Sequence, residues 1–211
     1  MEIEEEAPIG LLRAIIRHGN RKEKSIALTF DDGPDPVYTV KILDILERNK
    51  IKATFFITGK KASEHPELIK MIVLKGNEVG NHSFSHKSLI FKSASFILNE
   101  IEQTDVILRK LGVKESTHFR PPYGRMLLIT FTIILRLRKK VILWDNNPKD
   151  YKCSSSDEIV NKVLKKLKPG SIIVLHDGGS DRTNTIEAVE VIISELLKRG
   201  YKFKTISELI I

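Results

Sequence analysis

Two adjacent carboxylates, Asp31 and Asp32, lie in the run Thr29-Phe30-Asp31-Asp32-Gly33-Pro34, where an apolar stretch over residues 25–30 gives way to a turn. Successive side chains on a strand point to opposite faces, so the pair can approach one pocket from different directions, one binding a cation while the other handles protons. His82 and His86 stand four apart in His82-Ser83-Phe84-Ser85-His86, a spacing that lets two imidazoles reach one ion from a helical turn or a tight loop. Alone, either motif has a plainer reading, an Asp-Gly turn or a coincidental histidine pair. A third ligand makes the pair persuasive, and Asp32 is the candidate, leaving a water in the open position. His176 ends a second apolar run in Leu175-His176-Asp177, where it can protonate a departing amine or alkoxide or simply satisfy a backbone carbonyl. In Arg120-Pro121-Pro122-Tyr123-Gly124 the prolines lack an N–H, so the next backbone donor, that of Tyr123, suits an oxyanion; a stiff loop is the alternative. A hard oxygen ligand, two imidazoles, a spare carboxylate and a spare imidazole are the parts of a metal-dependent hydrolase. His18, His65 and His118 stand in no such motif and take no role.

Strands that could carry these groups are predicted at residues 25–30, 53–58, 78–81, 117–120, 141–145, 171–176 and 201–204. Helical periodicity fills the gaps: Val40, Leu43 and Leu46 form one apolar face, Ile159, Val163 and Leu167 another, Ile186, Val189, Ile193 and Leu197 a third. His65-Pro66 marks a helix start, Lys75-Gly76-Asn77 and Arg199-Gly200 helix stops, and Lys168-Pro169-Gly170 a turn into a strand. Strands alternating with helices need crossovers, so the class is α/β with a largely parallel sheet, open or closed as a barrel. Both architectures gather chemistry at the carboxyl ends of the strands, where every motif above falls.

The chain of 211 residues, 41% hydrophobic, is long enough for one well-buried domain, and with Cys153 alone it forms no internal disulfide. Its net charge of +8 is spread over helix faces and reads as solvated surface rather than a nucleic-acid site; attraction to an anionic wall polymer would show as salt-dependent binding. The longest apolar stretch, residues 126–135, falls short of the roughly 18 needed to span a bilayer and reads as a buried helix or strand, so no transmembrane segment is expected. The acidic opening and the short apolar stretches after it hold no signal-peptide core. As written the chain is therefore expected to carry no export signal; an extracellular or envelope location follows if a leader has been removed.

With these residues in view, the chain resembles polysaccharide deacetylases of the NodB-homology type, carbohydrate esterase family four. The resemblance runs from about residue 24 to 209 and rests on five motifs in order: residues 29–34, 82–86, 120–124, 144–151 and 175–177. It implies a distorted (β/α) barrel of about seven mostly parallel strands, with residues 1–22 an N-terminal extension and 23–211 the catalytic domain. It further implies Asp31 as general base, Asp32, His82 and His86 as ligands of a divalent metal, usually zinc with cobalt, nickel or manganese as alternatives, and His176 as general acid. Arg120 would orient Asp31, Asp150 would partner His176, Tyr123 would supply the oxyanion donor, and Pro122, Tyr123, Tyr151 and Leu175 would line the substrate groove. The implied substrate is an N-acetylated carbohydrate of peptidoglycan or chitin type, with no nucleic acid or protein partner. An O-acetyl ester or small-amide deacylase, or a carbohydrate-binding protein that has lost turnover, are the alternatives. Two departures shape expectations: Asp150-Tyr151 stands where the family usually has Asp-Trp, implying a smaller, more polar groove wall. Residues 125–140 are more apolar and basic than the usual helix and lack its closing glycine, implying displacement of the loop that carries Arg120 and Tyr123.

Overall fold

In the computed structural model, which describes residues 15–114 and 117–211, the apolar runs become parallel strands joined through helices. β1 (Ile15–Ile16) precedes β2 (Ser25–Asp31), α1 (Tyr38–Arg48), β3 (Thr54–Ile57), α2 (Gly59–Glu64), α3 (Pro66–Leu74), β4 (Glu78–Asn81) and α4 (Ala94–Lys110). β5 (His118–Phe119), α5 (Leu128–Arg136), β6 (Lys140–Ile142), α6 (Ser156–Lys166), β7 (Ile172–His176), α7 (Thr183–Lys198), β8 (Lys202–Phe203) and α8 (Ile206–Leu209) complete the chain. The sheet runs β1-β6-β5-β4-β3-β2-β7, and β8 pairs with the start of β2; every ladder is parallel. Two single bridges bring the edges together, Asn146 after β6 with Ile173 in β7, and His18 after β1 with Ser171. The result is a distorted (β/α) barrel.

All seven expected strands form, five of them shorter than the apolar runs suggested. β1 lies inside the stretch set apart as an extension, where its two residues register with Val141 and Ile142, so the sheet begins before residue 23. Two residues carry no periodicity, which is why the pattern misses this strand. The acidic opening, on which the expectation about export rests, lies outside the described residues.

Strand parity sorts the side chains. Ile26, Leu28 and Phe30 turn outward into a core shared with α1 and α7, whereas Ala27, Thr29 and Asp31 turn into the barrel. A one-residue slip of β2 would push Phe30 inward and set Asp31 among apolar helix faces, so burial on the outer face fixes which carboxylate enters the barrel. Each such side chain is worth about 1.5–3 kcal/mol on full burial. The same parity directs Val174 and His176 inward from β7 and Ile173 and Leu175 outward. Below the site, Ala27, Phe56, Ile142 and Ile172 close the interior against Ile206 and Leu209 of α8. Residues 128–135 of the long apolar stretch fall on α5, whose Phe131 and Ile134 pack with Ile97, Ile101, Phe119 and Val141 in a second core. No helix among the described residues is long and apolar enough to cross a membrane.

Candidate active site

At the carboxyl end of the barrel the loops enclose a cavity of about 560 Å³. Asp31, at the last position of β2, is buried beneath it, and Asp32, turned by a left-handed backbone (φ 74°), enters from the side. His82 and His86 lie on a tight loop rather than a helical turn, shaped by positive φ at Ser83 and His86. Their Nε2 atoms lie 3.4 and 3.0 Å from the same atom, Asp32 Oδ1. That oxygen is buried and has no hydrogen-bond partner. Because the His82 Nδ1–H donates to the Arg120 carbonyl at 2.7 Å, its Nε2 lone pair faces the carboxylate. An acceptor-only oxygen facing two ring nitrogens, without a proton donor of its own, fits a cation held among the three, whose ligand atoms all lie within 4.8 Å of one another.

Electrostatics agree with that division. Burial alone would raise the Asp32 carboxyl, but the His82 and His86 imidazoles outweigh it and hold it far below the usual carboxylate range. Burial disfavours a charged His82, yet Asp31 and Asp32 overcome this and raise its pKa; burial and the neighbouring His82 lower that of His86.

Arg120 fills the barrel beneath the site and is fully buried. It donates from Nη1 to Asp31 Oδ1 at 2.6 Å and to Thr29 Oγ1 at 2.8 Å, from Nε to the Ile142 carbonyl at 3.0 Å, and its guanidinium lies 3.9 Å from the centre of the Phe56 ring. Asp31 Oδ1 is thereby taken, while Oδ2 faces His82 Nε2 at 3.9 Å. On the opposite wall His176 Nδ1–H donates to Asp150 Oδ1 at 2.7 Å, and Asp150 Oδ2 accepts from the His176 backbone N–H and Thr185 Oγ1. Burial would lower the His176 pKa, but Asp150 outweighs it and raises it. Tyr151 meets the His176 ring edge-on, and Tyr123 does the same to His86 across the cavity. Tyr123 carries a positive φ of 61°, and Gly124 beside it (φ 65°) could not bear a side chain without meeting Trp144 at 2.6 Å.

The cavity thus brings together Asp31, Asp32, His82, His86, Tyr123, Tyr151 and His176. Leu175 is not with them: by strand parity it points into the outer core, so it supports β7 and does not line the groove. Pro122 is buried behind Tyr123 and is likewise off the cavity wall. Arg120 lies before the divergent segment and meets Asp31 at 2.6 Å. Within that segment Met126, Phe131, Ile133, Ile134, Leu135 and Leu137 pack in the second core, and Arg138 adopts a left-handed turn (φ 55°).

Four residues were given no role by the sequence reading. Trp144 and Val174 line the cavity, each two positions from another inward residue, so parity could have found them. Arg182 carries no such signal. Glu100, buried on α4, accepts from the backbone N–H groups of Phe84 and Ser85 and from Ser85 Oγ, and so holds the histidine loop in shape.

A model of the polysaccharide deacetylase family matches residues 18–142 of the sequence. The chain belongs to that family. Relatives agree over nearly the whole length: a peptidoglycan-N-acetylglucosamine deacetylase of Bacillus cereus is 40% identical over 190 residues, 89% of each chain. A chitooligosaccharide deacetylase of Sinorhizobium fredii is 33% identical, covering 93% of this chain and 96% of its own. The crystal structure of a peptidoglycan N-acetylglucosamine deacetylase in complex with an N-hydroxybenzamide superposes with a TM-score of 0.91 at 33% identity, over 97% of both chains. Asp150 and His176 lie beyond the matched family segment, so their place in the site rests on the geometry above.

Proposed function

We propose that this protein is a metal-dependent deacetylase that hydrolyses the N-acetyl group of a carbohydrate built from N-acetylglucosamine, releasing acetate and a free amine. The observation that carries this reading is the buried, partnerless Asp32 Oδ1 facing two imidazole nitrogens beside a second carboxylate already positioned by Arg120. Asp32, His82 and His86 would hold a divalent cation, zinc by its affinity for imidazole and carboxylate, and when bound it supplies Lewis acidity to the acetyl carbonyl and to water. Asp31 accepts the proton of the attacking water at Oδ2, while Arg120 keeps the carboxylate from rotating. The Tyr123 N–H steadies the developing oxyanion. His176, its Nδ1–H committed to Asp150, delivers a proton from Nε2 to the leaving nitrogen. Tyr151 and Trp144 supply aromatic faces for the sugar.

The names of the relatives support N-acetylglucosamine polymers over acetate esters. Acetate release measured in parallel on N-acetylglucosamine oligomers, peptidoglycan fragments, acetylxylan and small acetamides tests it, with metal analysis of the same preparation. Turnover of the first two is expected, with about one equivalent of zinc. Turnover of acetylxylan alone would make the chain an esterase, and saturable oligomer binding without acetate would make it a binding protein.

The acid carries its own prediction. Because Asp150 raises the His176 pKa, Asp150→Asn lowers it, and the protonated form is lost earlier as pH rises. The alkaline limb of kcat/KM should move to lower pH, while the acid limb stays. A profile that falls evenly at every pH would show Asp150 to be structural only.

A further inference from the structure

The divergent segment, of which Arg125 alone among the described residues lines the catalytic cavity, forms with a neighbouring loop a surface of unusual composition. Residues 82–99 and 117–144 contain no aspartate or glutamate at all. The first follows β4 and the second contains β5, with which β4 pairs, and they share one core: Leu89 and Phe96 from the first pack with Met126, Phe131 and Leu135 of the second. On the outside of that core four apolar side chains face solvent, Phe91 at 90% and Leu128 at 69% exposed, with Ile129 and Leu127 beside Leu128. A left-handed backbone at Phe91 (φ 57°) holds the loop in this shape. Lys87, Lys92, Arg125 and Arg136 are exposed on the same two segments. Of the carboxylates on the adjoining α4, Glu100 is buried in the histidine loop and Asp105 pairs with Lys139, leaving Glu102 as the exposed one.

Single exposed apolar residues are ordinary, but a group of them interleaved with cations, and almost free of anions, is not. A soluble acidic polymer would use the cations and gain nothing from Phe91 or Leu128. A neutral apolar protein face would gain nothing from the lysines. An anionic lipid surface uses both, since large apolar side chains enter the interface while Lys and Arg remain at the headgroups. We infer that this face adsorbs to an anionic membrane surface. Tyr123 and Arg125 belong to the same segment and also line the cavity, so adsorption places the catalytic mouth against glycan lying next to the bilayer.

The inference does not depend on the deacetylase reading and is tested on the full chain. Sedimentation with vesicles of phosphatidylglycerol and phosphatidylcholine is compared with vesicles of phosphatidylcholine alone. Binding to the first, weakened by salt, is expected. The double variant Phe91→Ser, Leu128→Ser should bind about 100-fold less tightly, and Lys92→Gln about fivefold less. Phe91 and Leu128 are exposed, so a Tm of the double variant at the wild-type value reports that it is folded. Failure to bind vesicles, equal binding to phosphatidylcholine alone, or wild-type binding by the double variant each overturns the inference. So does a dimer in solution that the double variant dissolves, because a second copy would then cover the face.

Discussion

Replacing Asp31 with Asn lowers acetate release about 10²- to 10⁴-fold, the range a positioned general base supplies, while metal content stays at the wild-type level. Asparagine has the same shape, and its carbonyl oxygen can still accept from Arg120 Nη1, so the loop geometry survives. What disappears is the anionic oxygen 3.9 Å from His82 Nε2, the position from which a proton can be taken. The substitution also leaves a fully buried guanidinium without its counter-charge. Breaking a buried pair costs about 3–5 kcal/mol. Thr29 and the Ile142 carbonyl still bind Arg120, which favours the lower end and keeps the variant folded with a reduced Tm. Measuring metal stoichiometry, Tm and acetate on one preparation separates the two effects. Wild-type turnover in a folded, metal-loaded Asp31→Asn variant would remove Asp31 from the chemistry.

The barrel and the site were legible in the sequence wherever one local rule governed a position. The apolar runs at residues 25–30 and 171–176 located β2 and β7 and put Asp31 and His176 at their carboxyl ends, and strand parity turns both side chains inward. Leu175 shows what happens when a motif is read without that rule, since its neighbour's role was extended to a side chain that parity turns away. β1 was hidden because two residues pair through backbone groups that any sequence supplies. Glu100 and Arg182 were hidden for another reason. Each acts through a partner outside any repeating pattern, Phe84 and Ser85 for one and the Gly178 carbonyl with the cavity wall for the other, and no periodicity records such a contact. The apolar residues of the divergent segment signalled a disturbed loop; Met126, Phe131, Ile133, Ile134, Leu135 and Leu137 instead join a second core, while Leu127, Leu128 and Ile129 face solvent.

Asp32→Asn is expected to remove both metal and turnover, and the contrast with its neighbour carries the argument. Asp32 is the vertex of the donor set, with one oxygen facing both imidazoles. An amide there offers a neutral, weaker oxygen and, if rotated, two N–H groups that point at ring nitrogens. Affinity for a divalent cation falls with the lost anion. The Lewis acidity lost with the cation is worth several kcal/mol, on the order of 10³-fold or more in rate. Thermal unfolding reads the same event without any assay of activity. Adding zinc at about 100 times its Kd stabilises the wild type by about 2.7 kcal/mol, because the folded site binds and the unfolded chain does not. The Asp32→Asn variant should melt at the same temperature with and without zinc, whereas the Asp31→Asn variant should keep the zinc-dependent rise. Two adjacent carboxylates would then be separated by function as they are by direction: one substitution costs the proton acceptor and spares the cation, the other costs both. Equal zinc responses in the two variants would mean that the cation, if held at all, is held elsewhere.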